Sequence, residues 1–259
     1  MKSRKPTSPT KKNSRLGHLH FIYDQNREYP IVDVPNEYLR PISGYVEFFN
    51  VDRHDNALEG EREQGTVAGR FDASYIDVDQ SLVDGVKLYS MVDTISDETA
   101  EIYNTLFDPH TNELRKGVKE LLGDVTFRNI LVINKVEVLP VYRGMGIGLA
   151  TIWNLIRRDS AGCGIVALKA FPFQFREGGR SGRLGDLEES DWNNRMEYDP
   201  YSYTVEFAHE KLIFHLKKLG FKRIGDAGVM ALFTSRQIPF PQEIHRWFPR
   251  SELPKAEQM

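Results

Sequence analysis

The sequence is poor in the features that mark secreted, membrane-spanning and nucleic-acid-binding proteins. Its 259 residues include one cysteine, Cys163, so no disulfide can form within the chain. No apolar run is long enough to span a bilayer, and the N-terminus lacks the apolar stretch of a secretory signal. The formal net charge of −3 argues against a nucleic-acid footprint over the whole chain. We therefore expect a cytoplasmic protein without a membrane partner, and we expect no nucleic-acid partner.

Composition divides the chain into three parts. Residues 1–16 contain six lysines and arginines and no acid, which predicts a basic disordered tail. An alternative role for this tail is an arm that contacts nucleic acid or an anionic surface. Residues 17–237 predict a single domain with a long polar loop at about 171–200. Residues 238–259 contain four prolines and predict an extended C-terminal tail.

Strand-like and helical patterns occur in an order that predicts an α/β or α+β domain around a mixed sheet. Within the third strand-like run, Ala68-Gly69-Arg70 predicts a hairpin or a bulge. The expected strands are 19–23, 44–51, 67–78, 129–138, 164–170, 221–224 and 229–233. The expected helices are 96–107, 111–122, a helix that begins near residue 148, and 203–219.

A glycine-rich turn joins the strand at 129–138 to the helix that follows it. The turn reads Arg143-Gly144-Met145-Gly146-Ile147-Gly148. Glycines let the backbone approach a ligand closely, and the free N–H groups of a first helical turn favour an anion. The turn is therefore a candidate phosphate site, to which Arg143 adds positive charge. It is neither a dinucleotide fingerprint, because Leu149 stands at the third glycine position, nor a P-loop, because no Gly-Lys-Ser/Thr occurs.

The longer run is Val136-x-Val138-x-Pro140-x-Tyr142-Arg143-Gly144-x-Gly146-Ile147-Gly148. It closely resembles the acetyl-CoA signature of GNAT acetyltransferases, whose core Arg/Gln-x-x-Gly-x-Gly/Ala is matched by Arg143, Gly146 and Gly148. Leu219-Gly220-Phe221 resembles the turn after the family's late helix, and Gly65 to Gly69 resemble a hairpin in its early strand pair. The resemblance covers roughly residues 67–233. It implies a GNAT-like, mostly antiparallel, twisted central sheet flanked by helices.

This resemblance implies an N-acetyltransferase that transfers an acetyl group from acetyl-CoA to a primary amine in a ternary complex. The amine would attack the thioester carbonyl directly, and a backbone N–H near Val138 would stabilise the oxyanion. In the family, the strands at 129–138 and 164–170 splay apart to admit the pantetheine arm. The implied cofactor-binding residues are Val136, Val138, Arg143, Gly144, Met145, Gly146, Ile147 and Gly148.

The group that protonates the CoA thiolate is not identified by the resemblance. The family often has a tyrosine four residues before the glycine of Leu-Gly-Phe, and this chain has Leu216 there. At an apolar helical position, Leu216 predicts core packing. His215, Tyr201 and Tyr203 are the candidate substitutes, each with a purely structural role as the alternative.

Glu137 is the candidate general base. It lies on the central predicted strand, opposite in direction to Val136 and Val138, where burial would raise the pKa of a carboxyl. The alternative is a paired or exposed strand residue with no catalytic role. Asn134 and Lys135 are further candidates, and water is another acceptor for the proton.

The sequence predicts no metal site and does not define the acceptor. His209-Glu210 lacks the second histidine of a zinc helix, because Ile213 stands at that position. Residues 72–101 hold eight acids against Lys87, which favours a cationic small molecule or a lysine-like group of a protein as the acceptor. The aromatic cluster at 171–175 is a candidate plug, acceptor wall or homodimer contact.

Two other functions stay open at the level of sequence. One is a CoA-binding module without catalysis, which serves regulation or assembly and which the leucine at position 216 favours. The other is an acetyltransferase that acts on aminoacyl-tRNA, to which the basic N-terminal arm would contribute.

Overall fold

The structure is a computed structural model. It describes residues 17–24, 38–50, 65–93, 96–123, 125–172, 187–196, 204–226 and 228–248. The predicted N-terminal tail, most of the predicted loop at 171–200, and residues 249–259 lie outside these ranges.

Among the described residues, seven strands form one open sheet in the order β1-β2-β3-β4-β5-β7-β6. Neighbouring strands are antiparallel except β4 and β5, which are parallel. The expected mixed α/β architecture is thus present, with a mostly antiparallel sheet. The strands are β1 Gly17–Tyr23, β2 Leu39–Asn50, β3 Thr66–Ile76, β4 Ile130–Val138, β5 Ile165–Lys169, β6 Lys222–Ile224 and β7 Val229–Phe233.

Helices cover both faces of the sheet. The helices α5 (Ile147–Asp159) and α7 (Val205–Lys218) pack on one face, where Trp153 and Leu216 enter a core with Ile133 of β4. The α3 helix (Asp97–Leu106) packs on the other face, where its Tyr103 belongs to the same buried cluster as Ile130. Because the side chains on both faces of β4 and β5 are buried, the sequences of these strands are nearly continuous apolar runs. The helices are α1 Val78–Val83, α2 Tyr89–Val92, α3 Asp97–Leu106, α4 Lys116–Leu122, α5 Ile147–Asp159, α6 Leu187–Arg195 and α7 Val205–Lys218, with 3-10 segments at Pro140–Tyr142 and Gln242–Trp247.

The α3 helix confirms its predicted start. The Ser96 side chain accepts a hydrogen bond from the Thr99 amide, as an N-cap does. The next predicted helix, 111–122, is wrong at its start, because α4 begins only at Lys116. The Asp108 side chain accepts from the amides of His110 and Thr111 and forms a turn in their place.

The β3 strand contains a bulge and no hairpin. Its pairing with β2 passes from Val46↔Gly69 to Glu47↔Val67, which leaves Ala68 as the extra residue. The bulge prediction is confirmed. The hairpin expected from Gly65 to Gly69 is wrong, because Thr66 to Ile76 run as one strand.

Residues 238–248 do not continue outward as an extended tail. Phe240, Ile244 and Trp247 are buried in the same core as α5 and α7. The sequence prediction failed because the prolines favour irregular backbone, whereas the aromatic side chains between them bury apolar area. Domain packing therefore extends past the predicted boundary at residue 237.

None of the described helices has the length and apolarity needed to cross a membrane.

Candidate functional site

A β-bulge at Asn134, in the pairing of β4 with β3, lies where the parallel pairing of β4 with β5 ends. The β3–β4 register passes from Asp72↔Lys135 to Ala73↔Ile133, so Asn134 has no partner residue across the strands. Parallel pairing with β5 ends at the same point, with Ile133↔Leu168 as its last pair. A bulge bends its strand and increases the local twist. The two parallel strands thus diverge beyond Ile133.

Side-chain hydrogen bonds hold the bulge in place. Asn134 Nδ2 donates to Asp72 Oδ1 at 2.9 Å and to Ser74 Oγ at 2.8 Å. Asn134 Oδ1 accepts from Thr99 Oγ1 of α3 at 3.2 Å. Ser74 and Thr99 are fully buried, so these bonds satisfy polar groups that have no access to water.

The bulge also changes which β4 residues face α5. Before it, Leu131 and Ile133 pack on the α5 side, and after it, Val136 and Val138 do so. One inserted residue reverses the two-residue alternation of a strand. Glu137 consequently points away from α5, as the sequence analysis expected. The polar Asn134 inside an apolar run was the only sequence signal for this change.

A cleft of about 450 Å³ lies where β4 and β5 diverge. This volume is within the range of roughly 300–1,000 Å³ that is typical of ligand sites. The cleft extends from the open half of β4 to the glycine-rich turn, and α7 forms another wall. Its lining includes all the predicted cofactor residues except Met145, together with Lys169, Lys211, His215, Leu216 and Glu243.

The glycine-rich turn has a backbone that requires glycine at two positions. Gly144 and Gly146 have φ of +77° and +83°, in the left-handed region that favours glycine. A Cβ atom on Gly146 would lie 2.9 Å from the carbonyl oxygen of Glu243. At Gly144 nothing lies within 4 Å of that position, so the backbone there is open to a ligand.

The amides at the start of α5 are available to an anion. The first hydrogen bond into the helix runs from the Ala150 amide to the Gly146 carbonyl at 3.0 Å. No hydrogen bond recorded for the described residues uses the amides of Gly146, Ile147 or Gly148. The positive end of the helix dipole lies at the same place. The turn can therefore bind a phosphate through its backbone.

Arg143 has a structural role in addition to its charge. Its Nε donates to the Val138 carbonyl at 3.1 Å, and its Nη2 donates to the Met196 carbonyl at 2.8 Å. The side chain thereby ties the end of β4 to the residue after α6. These bonds occupy part of the guanidinium that the sequence analysis assigned to the phosphate.

Glu137 is buried among cationic and polar partners. Its Oε2 accepts from Arg70 Nε, from Trp192 Nε1 at 3.0 Å, and lies 3.4 Å from Lys135 Nζ. The Arg70 guanidinium also stacks over the Trp192 ring at 4.9 Å. Glu137 is among the residues that line the cleft, but this side-chain oxygen is already engaged. These contacts match the paired strand residue that was the alternative to a general base.

His215 lines the cleft from α7 with one ring nitrogen without a partner. Its Nδ1 is buried and has no hydrogen bond among the described residues. Burial, with Lys218 and Lys211 next, lowers the pKa of the imidazole below its usual value, while Glu243 acts in the opposite direction. These surroundings favour the neutral imidazole, which is the form that can accept a proton.

The remaining predicted site residues have simpler outcomes. Leu216 is buried in the core, as expected for an apolar helical position. Tyr201 and Tyr203 lie outside the described residues. Cys163 is buried, and burial raises the pKa of its thiol to about 12, which makes it a poor nucleophile.

The acid-rich segment at 72–101 is used largely for local structure. Asp77 caps α1, and Asp79 accepts from the Arg128 amide. Glu101 pairs with Lys169 at 2.5 Å. Within the described part of the chain, no group of three or more His, Cys, Asp or Glu side chains is placed to hold a metal ion.

Comparisons with protein-family models, with curated proteins and with solved structures find no match to this chain. Fold and site define a mixed α/β domain whose described strands form one seven-stranded sheet. A bulge lies where the pairing of β4 with β5 ends, and a ligand-sized cleft lies at the same place.

Proposed function

We propose that this chain is a GNAT-type N-acetyltransferase that binds acetyl-CoA in the cleft and transfers its acetyl group to a primary amine. The observation that carries the proposal is the junction of two features. The opening between β4 and β5 leads directly to the first turn of α5, where backbone amides are available. A thioester on a phosphate-bearing arm fits this combination. Its anionic end can bind the backbone amides, and its uncharged arm can lie in the opening between the strands.

In this proposal each part of acetyl-CoA has its own contacts in the cleft. The pyrophosphate accepts hydrogen bonds from the amides of Gly146 to Gly148. The pantetheine arm lies against Val136 and Val138, whose side chains are half-buried in the cleft wall. The acetyl group then lies near the end of β4, where a backbone N–H near Val138 stabilises the oxyanion.

We assign proton transfer to His215 rather than to Glu137. The amine nitrogen forms a bond to the thioester carbon, and the carbon–sulfur bond breaks as the thiolate leaves. Neutral His215 accepts the proton that the nitrogen loses and passes it to the sulfur, so that the products are an amide and CoA thiol. Glu137 instead holds Arg70 and Trp192 beside the strand.

Calorimetry with acetyl-CoA and with CoA tests the cofactor site. The variant Gly148→Trp places a large ring at the first turn of α5, where an added Cβ meets only Val138 at 3.7 Å and the backbone is not strained. The matched control is Gly117→Trp on the exposed face of α4, where nothing lies within 4 Å. We expect saturable binding by wild type and Gly117→Trp, and its loss in Gly148→Trp. A folded wild type that binds neither compound contradicts the proposal.

Release of CoA thiol in the presence of a panel of amines tests catalysis. A non-catalytic CoA-binding module is the second candidate, because the position of the family's proton donor holds the buried Leu216. That module binds CoA but releases no thiol with any amine. Panels of cationic small amines, lysine peptides and aminoacyl-tRNA separate the classes of acceptor.

A further inference from the structure

The carbonyl oxygen of Met145, in the middle of the glycine-rich turn, is held by two donors from the C-terminal segment. It accepts from Trp247 Nε1 at 3.0 Å and from Arg246 Nη2. Trp247 and Met145 are 102 residues apart in the chain. Nothing in the glycine motif itself indicates this contact.

The anchored carbonyl sets the direction of the next amide. In a trans peptide the C=O and N–H groups point in opposite directions, and no cis peptide occurs among the described residues. The Gly146 N–H therefore points away from Trp247 and Arg246. No hydrogen bond recorded for the described residues uses that amide, and Gly146 lines the cleft.

This orientation needs an anchor because the peptide plane between Met145 and Gly146 could otherwise rotate. The peptide plane between Met145 and Gly146 turns about ψ of the first residue and φ of the second. Glycine restricts φ very little, and Gly146 already has a φ of +83°. Rotation of this plane would turn the carbonyl oxygen towards a bound phosphate and replace a donor with a repelling acceptor.

The anchoring segment is itself rigidly packed. Trp247 is 5% exposed and Ile244 is fully buried. Phe240 packs on Trp153 of α5 with ring centroids 4.5 Å apart. Glu243 forms an ion pair with Lys218 of α7, so the segment is fixed to both helices that border the cleft.

We propose that Trp247 and Arg246 are positioning residues for the phosphate site. They hold the Met145 carbonyl away from the cleft, so that the Gly146 amide and the first turn of α5 face the pyrophosphate. The inference rests on the proposed function for the identity of the ligand. It does not depend on that function for the conformation of the turn.

The first test compares two ligands by calorimetry. CoA carries the pyrophosphate, and S-acetylpantetheine lacks it. Trp247→Phe keeps an aromatic ring but removes the N–H donor, and the double variant with Arg246→Met removes both donors. Trp153→Phe is the matched control, because Trp153 packs on the same segment and no hydrogen bond from it to Met145 is recorded among the described residues. Scanning calorimetry on each variant records its folded state.

We expect Trp247→Phe to weaken CoA binding roughly three- to tenfold, and the double variant to weaken it further. Binding of S-acetylpantetheine should not change, which a general loosening of the fold would not reproduce. Equal CoA affinity in wild type and double variant overturns the inference. So does an equal loss for both ligands, or the same loss in Trp153→Phe.

A second test needs no ligand. The Gly146 amide resonance in a ¹⁵N-labelled protein should shift or broaden in the double variant as the peptide plane becomes free to rotate, and should stay unchanged in Trp153→Phe. An unaltered Gly146 resonance in the double variant overturns the inference. If wild type binds no CoA while this resonance responds as expected, the proposed function fails and the positioning role stands.

Discussion

Replacement of Asn134 by valine should both destabilise the protein and close the cleft. The side chain makes three hydrogen bonds, to Asp72, Ser74 and Thr99. At roughly 1 kcal/mol for each bond, the variant should lose about 3 kcal/mol of unfolding free energy. For a domain of this size that loss corresponds to a fall in Tm of roughly 6–12 °C.

Urea denaturation measures the loss, with Asn154→Val as the matched control. Asn154 makes one recorded side-chain hydrogen bond, to the Tyr23 hydroxyl at 2.9 Å, so its replacement should cost only about 1 kcal/mol. Valine also favours a regular strand, so we expect β4 of the Asn134→Val variant to continue its pairing with β5 and CoA affinity to fall at least tenfold. If Asn134→Val costs no more than the control and retains CoA binding, the bulge is not what opens the cleft.

Three further changes test other parts of the site. His215→Ala should lower kcat for thiol release roughly 100-fold. In wild type, activity should be present above the lowered pKa of this imidazole and should be lost as the pH falls through that pKa. An unchanged pH profile in the variant would count against His215. Gly146→Ala should cost more unfolding free energy than Gly144→Ala. Both changes strain the backbone by about 1–2 kcal/mol, but only the Cβ atom at position 146 meets the Glu243 carbonyl, at 2.9 Å. Equal losses of unfolding free energy in urea denaturation would contradict the packing described. Glu137→Gln keeps a hydrogen-bond acceptor but loses the charge, so it should lower the unfolding free energy by about 2 kcal/mol and leave kcat within a fewfold of wild type. A 100-fold fall in kcat would instead support Glu137 as the general base.

Local sequence patterns predicted some features of the site and not others. Glycines in a strand–turn–helix context predicted the available amides at the start of α5, because those features depend on neighbouring residues only. The direction of Glu137 was also predictable from alternation after the bulge. Its partners were not, since Arg70 and Trp192 lie 67 and 55 residues away in the chain.

Two predicted elements were wrong, one for a local reason and one for a long-range reason. Propensity placed a helix start at Thr111, whereas a local side-chain turn at Asp108 delayed it to Lys116. The α6 helix fell inside a segment whose polar composition predicted a loop. Its Trp192 is buried against Glu137, which no pattern within the segment reveals.

The mixed α/β class, the positions of most strands and the glycine turn follow from the amino-acid sequence alone, because periodicity, caps and glycine conformations are properties of short segments. Where the pairing of β4 with β5 ends and how the turn is held depend on packing of the whole fold. That pairing ends at a bulge whose Asn134 forms hydrogen bonds with two other elements, β3 and α3. The turn depends on Arg246 and Trp247, which reach Met145 from the far end of the chain. Such contacts arise only when the whole core has packed, so no local pattern encodes them.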